Sequence, residues 1–207
     1  MDTGKLLEKH AAPWREAREH PFVRGVRDGA LPEGAFEAWL VEDYLFVLGL
    51  LGFQSRLVPR APRRDQALIL GGLLALEAEL TWFERKAEER DFSLDAHPHP
   101  DNETYIRFLD QLEREPYAVS AVALWAVEQA YLDAWSSASP GAREYREFVE
   151  HWTVPEFRDY VGSLREAADA ALARSDERTA HRAEAAFLSV ARLERDFWGL
   201  AYARVGV

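Results

Sequence analysis

With 207 residues the chain is long enough to bury one sizeable core and nothing in it demands a second, so one domain over residues 1–207 is expected. Acidic residues outnumber basic ones 36 to 25 and the net charge is -11, which argues against a nucleic-acid surface, because phosphate binding needs clustered Lys and Arg. There is no cysteine, which excludes disulfides, thiolate metal sites and thiol nucleophiles together. A basic-then-apolar leader and an apolar run of about 18 residues are both missing, so a soluble cytoplasmic protein with no membrane partner is expected.

The periodicity is helical almost throughout and strand patterns are absent. The His20-Pro21 pair reads as a fixed helix start. A long helix opens after Pro32 and closes near Pro59, with Trp39, Asp43, Phe46, Leu50 and Phe53 recurring at three- and four-residue steps. A second runs from about Arg63 to Arg90, with Leu68, Leu73, Leu76, Leu80 and Phe83 on its apolar side. The mixed charges from Arg85 to Asp91 read as a solvated face. After the Pro-rich loop His97–Pro100, a helix carries Tyr105, Phe108, Leu109 and Leu112 until Pro116 ends or kinks it.

The next helix, about Ala118 to Ser137, holds Leu124, Glu128, Tyr131 and Trp135 in register and stops at the loop composition of Ser137 to Gly141. A shorter helix around Ala142 to Trp152 leads through Pro155 to another that fades near Ala173. Ser175 or Asp176 then caps a final helix reaching about Ala203. With no internal repeat and no low-complexity linker, the fold class is all-α, a single helical bundle whose long helices have aromatic, occasionally acidic, inner faces.

Seven Trp, seven Tyr and eleven Phe contribute large buried areas, and most of them belong to the core. The exceptions are those beside a buried acid. Asp43 with Phe46, Glu128 with Tyr131 and Trp135, and Glu194 with Phe197 and Trp198 each set an aromatic three, four or seven residues beyond a carboxylate, hence on the same helical face. Three such faces meeting would enclose a cavity with stacking surfaces and carboxylates, suited to a flat, polar heterocycle. A carboxylate in apolar surroundings tends toward a raised pKa and can exchange protons near neutral pH. Glu79 is a further acid that could reach the same cavity, though its first reading is a surface partner for an Arg.

Two motifs carry a family resemblance. The run His20-Pro21-Phe22-Val23-Arg24-Gly25-Val26-Arg27-Asp28-Gly29-Ala30-Leu31-Pro32, followed by the Glu42-Asp43-Tyr44 helix, resembles the opening of the TenA family, the thiaminase II relatives of thiamin salvage. The closing segment from Glu194 to Tyr202 resembles that family's C-terminal signature, and Thr104-Tyr105, the Tyr131 helix and the Tyr145 to Phe157 stretch fall between them in matching order.

The resemblance implies a heme-oxygenase-like helical fold, assembled as a homotetramer or homodimer, that binds an aminopyrimidine and cleaves a substituent by hydrolysis without a cofactor. Carried over by position, Asp43 would hydrogen-bond the ring nitrogen and exocyclic amine, Tyr105 and Tyr131 would line the pocket, and Glu194 would transfer a proton. Thiaminase-type members use a cysteine nucleophile, and here the corresponding stretch, Ala123 to Tyr131, has none, so either Val127 or Glu128 takes that position. The resemblance is therefore to the cysteine-lacking branch with a glutamate in this region, and Glu128 is the candidate. Phe46 and Trp152 stand where many members have tyrosines; they keep a stacking face but lose a hydroxyl donor.

Without a thiol, the expected mechanism is activated water: Glu128 or Glu194 takes its proton, the other protonates the leaving amine, and Asp43 holds the ring. The catalytic candidates are thus Glu194, Glu128 and Asp43, and the substrate-binding ones Phe46, Tyr105, Tyr131, Trp152, Phe197 and Trp198. No metal site is expected, since the histidines His10, His20, His97, His99, His151 and His181 form no paired Glu-x-x-His motif on inner helices. Two alternatives stand beside the hydrolase: a protein that only sequesters a pyrimidine, and a cofactor-dependent oxidase of the same fold.

Overall fold

The computed structural model describes residues 1–203. Its regular elements are all helices among those residues: α1 (Thr3–Lys9), α2 (Ala11–Arg18), α3 (Pro21–Asp28), α4 (Ala35–Leu57), α5 (Arg63–Arg90), α6 (Pro100–Gln111), α7 (Tyr117–Ala138), α8 (Arg146–His151), α9 (Pro155–Leu172), α10 (Glu177–Trp198) and α11 (Leu200–Ala203). Single 3-10 turns follow α4 and α6. The described residues group into two compact units, one comprising residues 1–31 and 115–199, the other residues 32–114 and the segment from Leu200.

In the first unit α7 is the central helix, packed by α2, α3, α8, α9 and α10. Its sequence suits that place: Ala118, Ala121, Ala123, Ala126, Ala130, Ala134 and Ala138 are buried and let neighbouring helices approach, while Trp125 and Trp135 fill the gaps between them. Trp14 of α2 is tied to this helix through its indole N–H, which donates to Asp133 at 2.9 Å, and Gln129 donates to the other oxygen of the same carboxylate at 2.8 Å. The three short N-terminal helices have seven or eight residues each, too few to persist alone, and owe their existence to this packing.

In the second unit α4 is central, with α5, α6 and α11 against it. The side chains of α4 are apolar on nearly every face, as befits a helix covered on several sides. Contacts between α4 and α6 climb in step: Phe46 meets Tyr105, Ile106 crowds against Gly49, and Arg56 bonds Asp110. The two helices therefore run parallel.

Most boundaries follow the sequence signals, with two differences. The helix expected from Ala142 begins only at Arg146, because Gly141 at φ 76° and the turn closed by Tyr145 N–H to Ala142 O occupy the intervening residues. The last helix breaks at Gly199, a weak helix former, and restarts as α11. Of the two proposed caps, Asp176 is the one used: its Oδ1 accepts the Thr179 N–H at 2.8 Å.

The long helix α5 departs from expectation in its surface. It contains an 18-residue window of mean hydropathy 1.3, by length and composition enough to cross a membrane, and only 17% of that window is buried. Ala67, Leu70, Gly71, Leu74, Ala75 and Ala78 form a continuous exposed stripe at helical spacing, with Leu70 48% and Leu74 74% exposed.

His20 caps α3 as its position before Pro21 suggests: Nδ1 accepts the Phe22 N–H at 3.2 Å. Gly29 closes the same helix at φ 68°, a left-handed conformation that costs glycine little. Burial, then the positive charges of Arg24 and Arg195, push the His20 imidazole down to about 4, with Asp196 pulling weakly the other way. The neutral ring is thus the folded form. Its contribution is complete above the unfolded value near 6.5 and is lost as the pH falls through 4, on the order of 1 kcal/mol once partial solvent screening is allowed for. Replacing it by Asn keeps a side-chain cap and removes the titration, so thermal melts of His20→Asn should depend less on pH between 6.5 and 4 than those of wild type. Parallel melting curves across that window would exclude this role.

Candidate functional site

All three acids singled out from the sequence are withdrawn from solvent: Asp43 is 1% exposed, Glu128 7% and Glu194 1%. Burying a carboxylate is costly unless other groups repay it, and Glu42 and Asp65 are withdrawn from solvent as well.

In the second unit Asp43 lies on α4 one turn before Phe46. Phe46 and Tyr105 of α6 have ring centroids 4.6 Å apart at an interplanar angle of 42°, and both are buried. Asp43 therefore belongs to the face that carries the aromatic pair. Its neighbour Tyr44 points elsewhere, partly exposed, donating its hydroxyl to Glu84 at 3.3 Å. Burial, then the Glu84 charge, raises that phenol above its ordinary value, so it stays protonated.

In the first unit α7 and α10 meet along matched rungs. Trp125 stacks on Phe187 at 5.9 Å, and further along, six residues on in α7 and eleven in α10, Tyr131 stacks on Trp198 at 5.7 Å and 25°. Glu128 is three residues from both Trp125 and Tyr131; Glu194 is seven from Phe187 and four from Trp198. Each acid thus sits on the helical face its rungs define. Trp152 closes the aromatic side, 4.3 Å from Trp135 and edge-on to Tyr131 at 5.5 Å. Phe197 stands edge-on to Trp198 at 6.1 Å. Tyr131 alone of this group keeps partial exposure.

Phe22 was read only as part of a motif, yet it stacks on Trp198 at 5.8 Å and 16°, backing the wall on which Tyr131 lies. Its place on a short helix hid it from periodicity. Glu42 and Asn102 are both wholly buried and were likewise missed; a carboxylate next to Asp43 on an apolar helix was the signal available. Glu79 is partly exposed on α5. Among the described residues no three His, Asp or Glu side chains gather as a metal-binding set.

Comparison with known proteins covers nearly the whole chain. Residues 7–204 match the model of the TENA/THI-4/PQQC family. A Glycine max protein named "Probable bifunctional TENA-E protein" is 30% identical over 98% of this chain and 94% of its own. The aminopyrimidine aminohydrolase of Halalkalibacterium halodurans is 22% identical over 95% of this chain and 93% of its own. Among solved structures, a TenA homologue from Pyrococcus furiosus superposes with a TM-score of 0.93 at 28% identity, over 98% of this chain and 100% of that one. A TenA homologue from P. horikoshii gives 0.87 at 22%, over 97% and 98%. The absence of cysteine fits the cysteine-lacking branch. The chain belongs to the TENA/THI-4/PQQC family and has the all-α TenA-like fold.

Proposed function

We propose that this protein is a hydrolase of thiamin salvage that releases ammonia from an aminomethyl-aminopyrimidine, or formamide from its formylated form, without a covalent enzyme intermediate. The observation that carries this is the burial of Asp43, Glu128 and Glu194, each on a helical face shared with aromatic rings. The aminohydrolase named above supports the substrate class.

In the reaction, Asp43 accepts the exocyclic N–H of the pyrimidine and the N–H of the adjacent, protonated ring nitrogen, while Phe46 and Tyr105 supply apolar contact for a flat ring. One of Glu128 and Glu194 takes a proton from water. The water oxygen bonds to the exocyclic methylene carbon as the carbon–nitrogen bond breaks, and the other glutamate protonates the departing amine, giving ammonia and a hydroxymethyl pyrimidine. The assay is ammonia release from aminomethyl-aminopyrimidine: steady turnover supports the hydrolase, and tight binding without ammonia would make the protein a sequestering one.

The protein acts as a homo-oligomer in this proposal, with α5 as a contact between two copies. With the two-fold near Leu74 and the helices antiparallel, Leu70 meets the level of Ala78 of the other copy, so the apolar stripe is self-complementary. Wild type should elute and scatter light as a dimer or larger, and Leu74→Glu should shift it to a smaller species with an unchanged melting temperature. A monomeric wild type, or one that binds lipid vesicles through this face, would contradict the contact.

A further inference from the structure

We infer that Glu42, a residue without a role in the chemistry above, is a positioning residue that sets the register of α6 on α4 and thereby the gap between Phe46 and Tyr105. This rests on the pyrimidine-binding role proposed for those two rings. Glu42 is fully buried. Both its carboxylate oxygens accept the backbone N–H of His99, at 3.2 and 3.1 Å, and Oε2 also accepts from the Asn102 side-chain amide at 2.8 Å. Asn102, equally buried, uses the same nitrogen to reach the Glu42 backbone carbonyl at 2.8 Å.

These bonds fall at a decisive place. His99 is the N-cap of α6, so the carboxylate binds where that helix presents unpaired N–H groups and the positive end of its dipole. In a capping box an acid of the same helix does this from within; here a residue of α4 does it from outside, which joins the two helices. Glu42 is one turn before Phe46, and Asn102 is one turn before Tyr105. The polar rung and the aromatic rung are therefore consecutive along one parallel helix pair, with Gly49 and Ile106 packed tightly as the next. Aromatic contacts alone tolerate sliding, whereas a buried carboxylate with fixed donors does not. The polar rung holds α6 in one register, and the ring gap follows.

The test compares wild type with Glu42→Gln and Asn102→Ala, measuring kcat and KM for aminomethyl-aminopyrimidine together with hydrogen exchange across the chain. Gln turns an N–H toward the existing donors, and Ala removes one donor while leaving the His99 contact. Both variants should raise KM by on the order of 10-fold, the scale of one buried charged hydrogen bond, with kcat within about 2-fold. Exchange should accelerate in α6 and not in α9 or α10. Combining the two changes should add little, because they break the same rung. Wild-type KM in a folded variant, or a fall in kcat at constant KM, would overturn the inference. A wild type that binds no pyrimidine would sink the functional proposal instead; the exchange data then decide, and unchanged α6 exchange in Glu42→Gln rejects the clamp.

Discussion

Glu194→Gln is expected to lower kcat for ammonia release by roughly 10²- to 10⁴-fold, the range typical of a lost general acid or base, while KM changes little. Gln matches Glu in size, so the seam of α7 and α10 keeps its packing around the Tyr131–Trp198 stack. It cannot accept or donate the proton that hydrolysis requires. Glu128→Gln should give a loss of the same order, and the double variant should be little worse than either alone, because a water-activating base and a leaving-group acid act as one unit. Thermal melts distinguish this from damage: Gln fills the same volume, so the variants should melt within about a few degrees of wild type. Wild-type turnover in Glu194→Gln would remove that residue from the chemistry.

The second large effect belongs to binding. Asp43→Ala should weaken pyrimidine affinity by on the order of 100-fold, about 2 to 3 kcal/mol, the scale of a charged two-point hydrogen bond lost in a buried site. Phe46 and Tyr105 remain, so stacking persists but orientation does not. Asp43→Asn should lose less than Asp43→Ala, since an amide still offers one acceptor and one donor to an amidine-like edge. Equilibrium titration, followed by tryptophan fluorescence or calorimetry, measures all three proteins. Equal affinity in wild type and Asp43→Ala would place the ring elsewhere.

The long helices were legible because their apolar residues repeat at helical spacing over many turns. The span Arg63–Arg90 is met at both ends, and Pro32, Pro59, Pro116 and Pro155 punctuate the chain where the helices stop or start. The three short helices of the first 31 residues carry too few turns to show a period, and only the His20-Pro21 start was visible there. Burial of Asp43, Glu128 and Glu194 was inferable, since each shares a face with aromatics that must face inward. The Glu42–Asn102 rung was not, because a hydrogen bond between residues sixty apart leaves no local pattern. The exposed stripe of α5 was not legible either: periodicity marked Leu68, Leu73, Leu76, Leu80 and Phe83 as the apolar side and passed over Leu70 and Leu74, which stand in solvent.

The measurement that tests the central claim most directly is turnover of aminomethyl-aminopyrimidine in water enriched in oxygen-18, with ammonia and the pyrimidine product quantified together. Carboxylate-activated water predicts one ammonia for each hydroxymethyl pyrimidine formed, and the heavy oxygen in that product. Full recovery of the unreacted pyrimidine, even from a tightly bound complex, would contradict it.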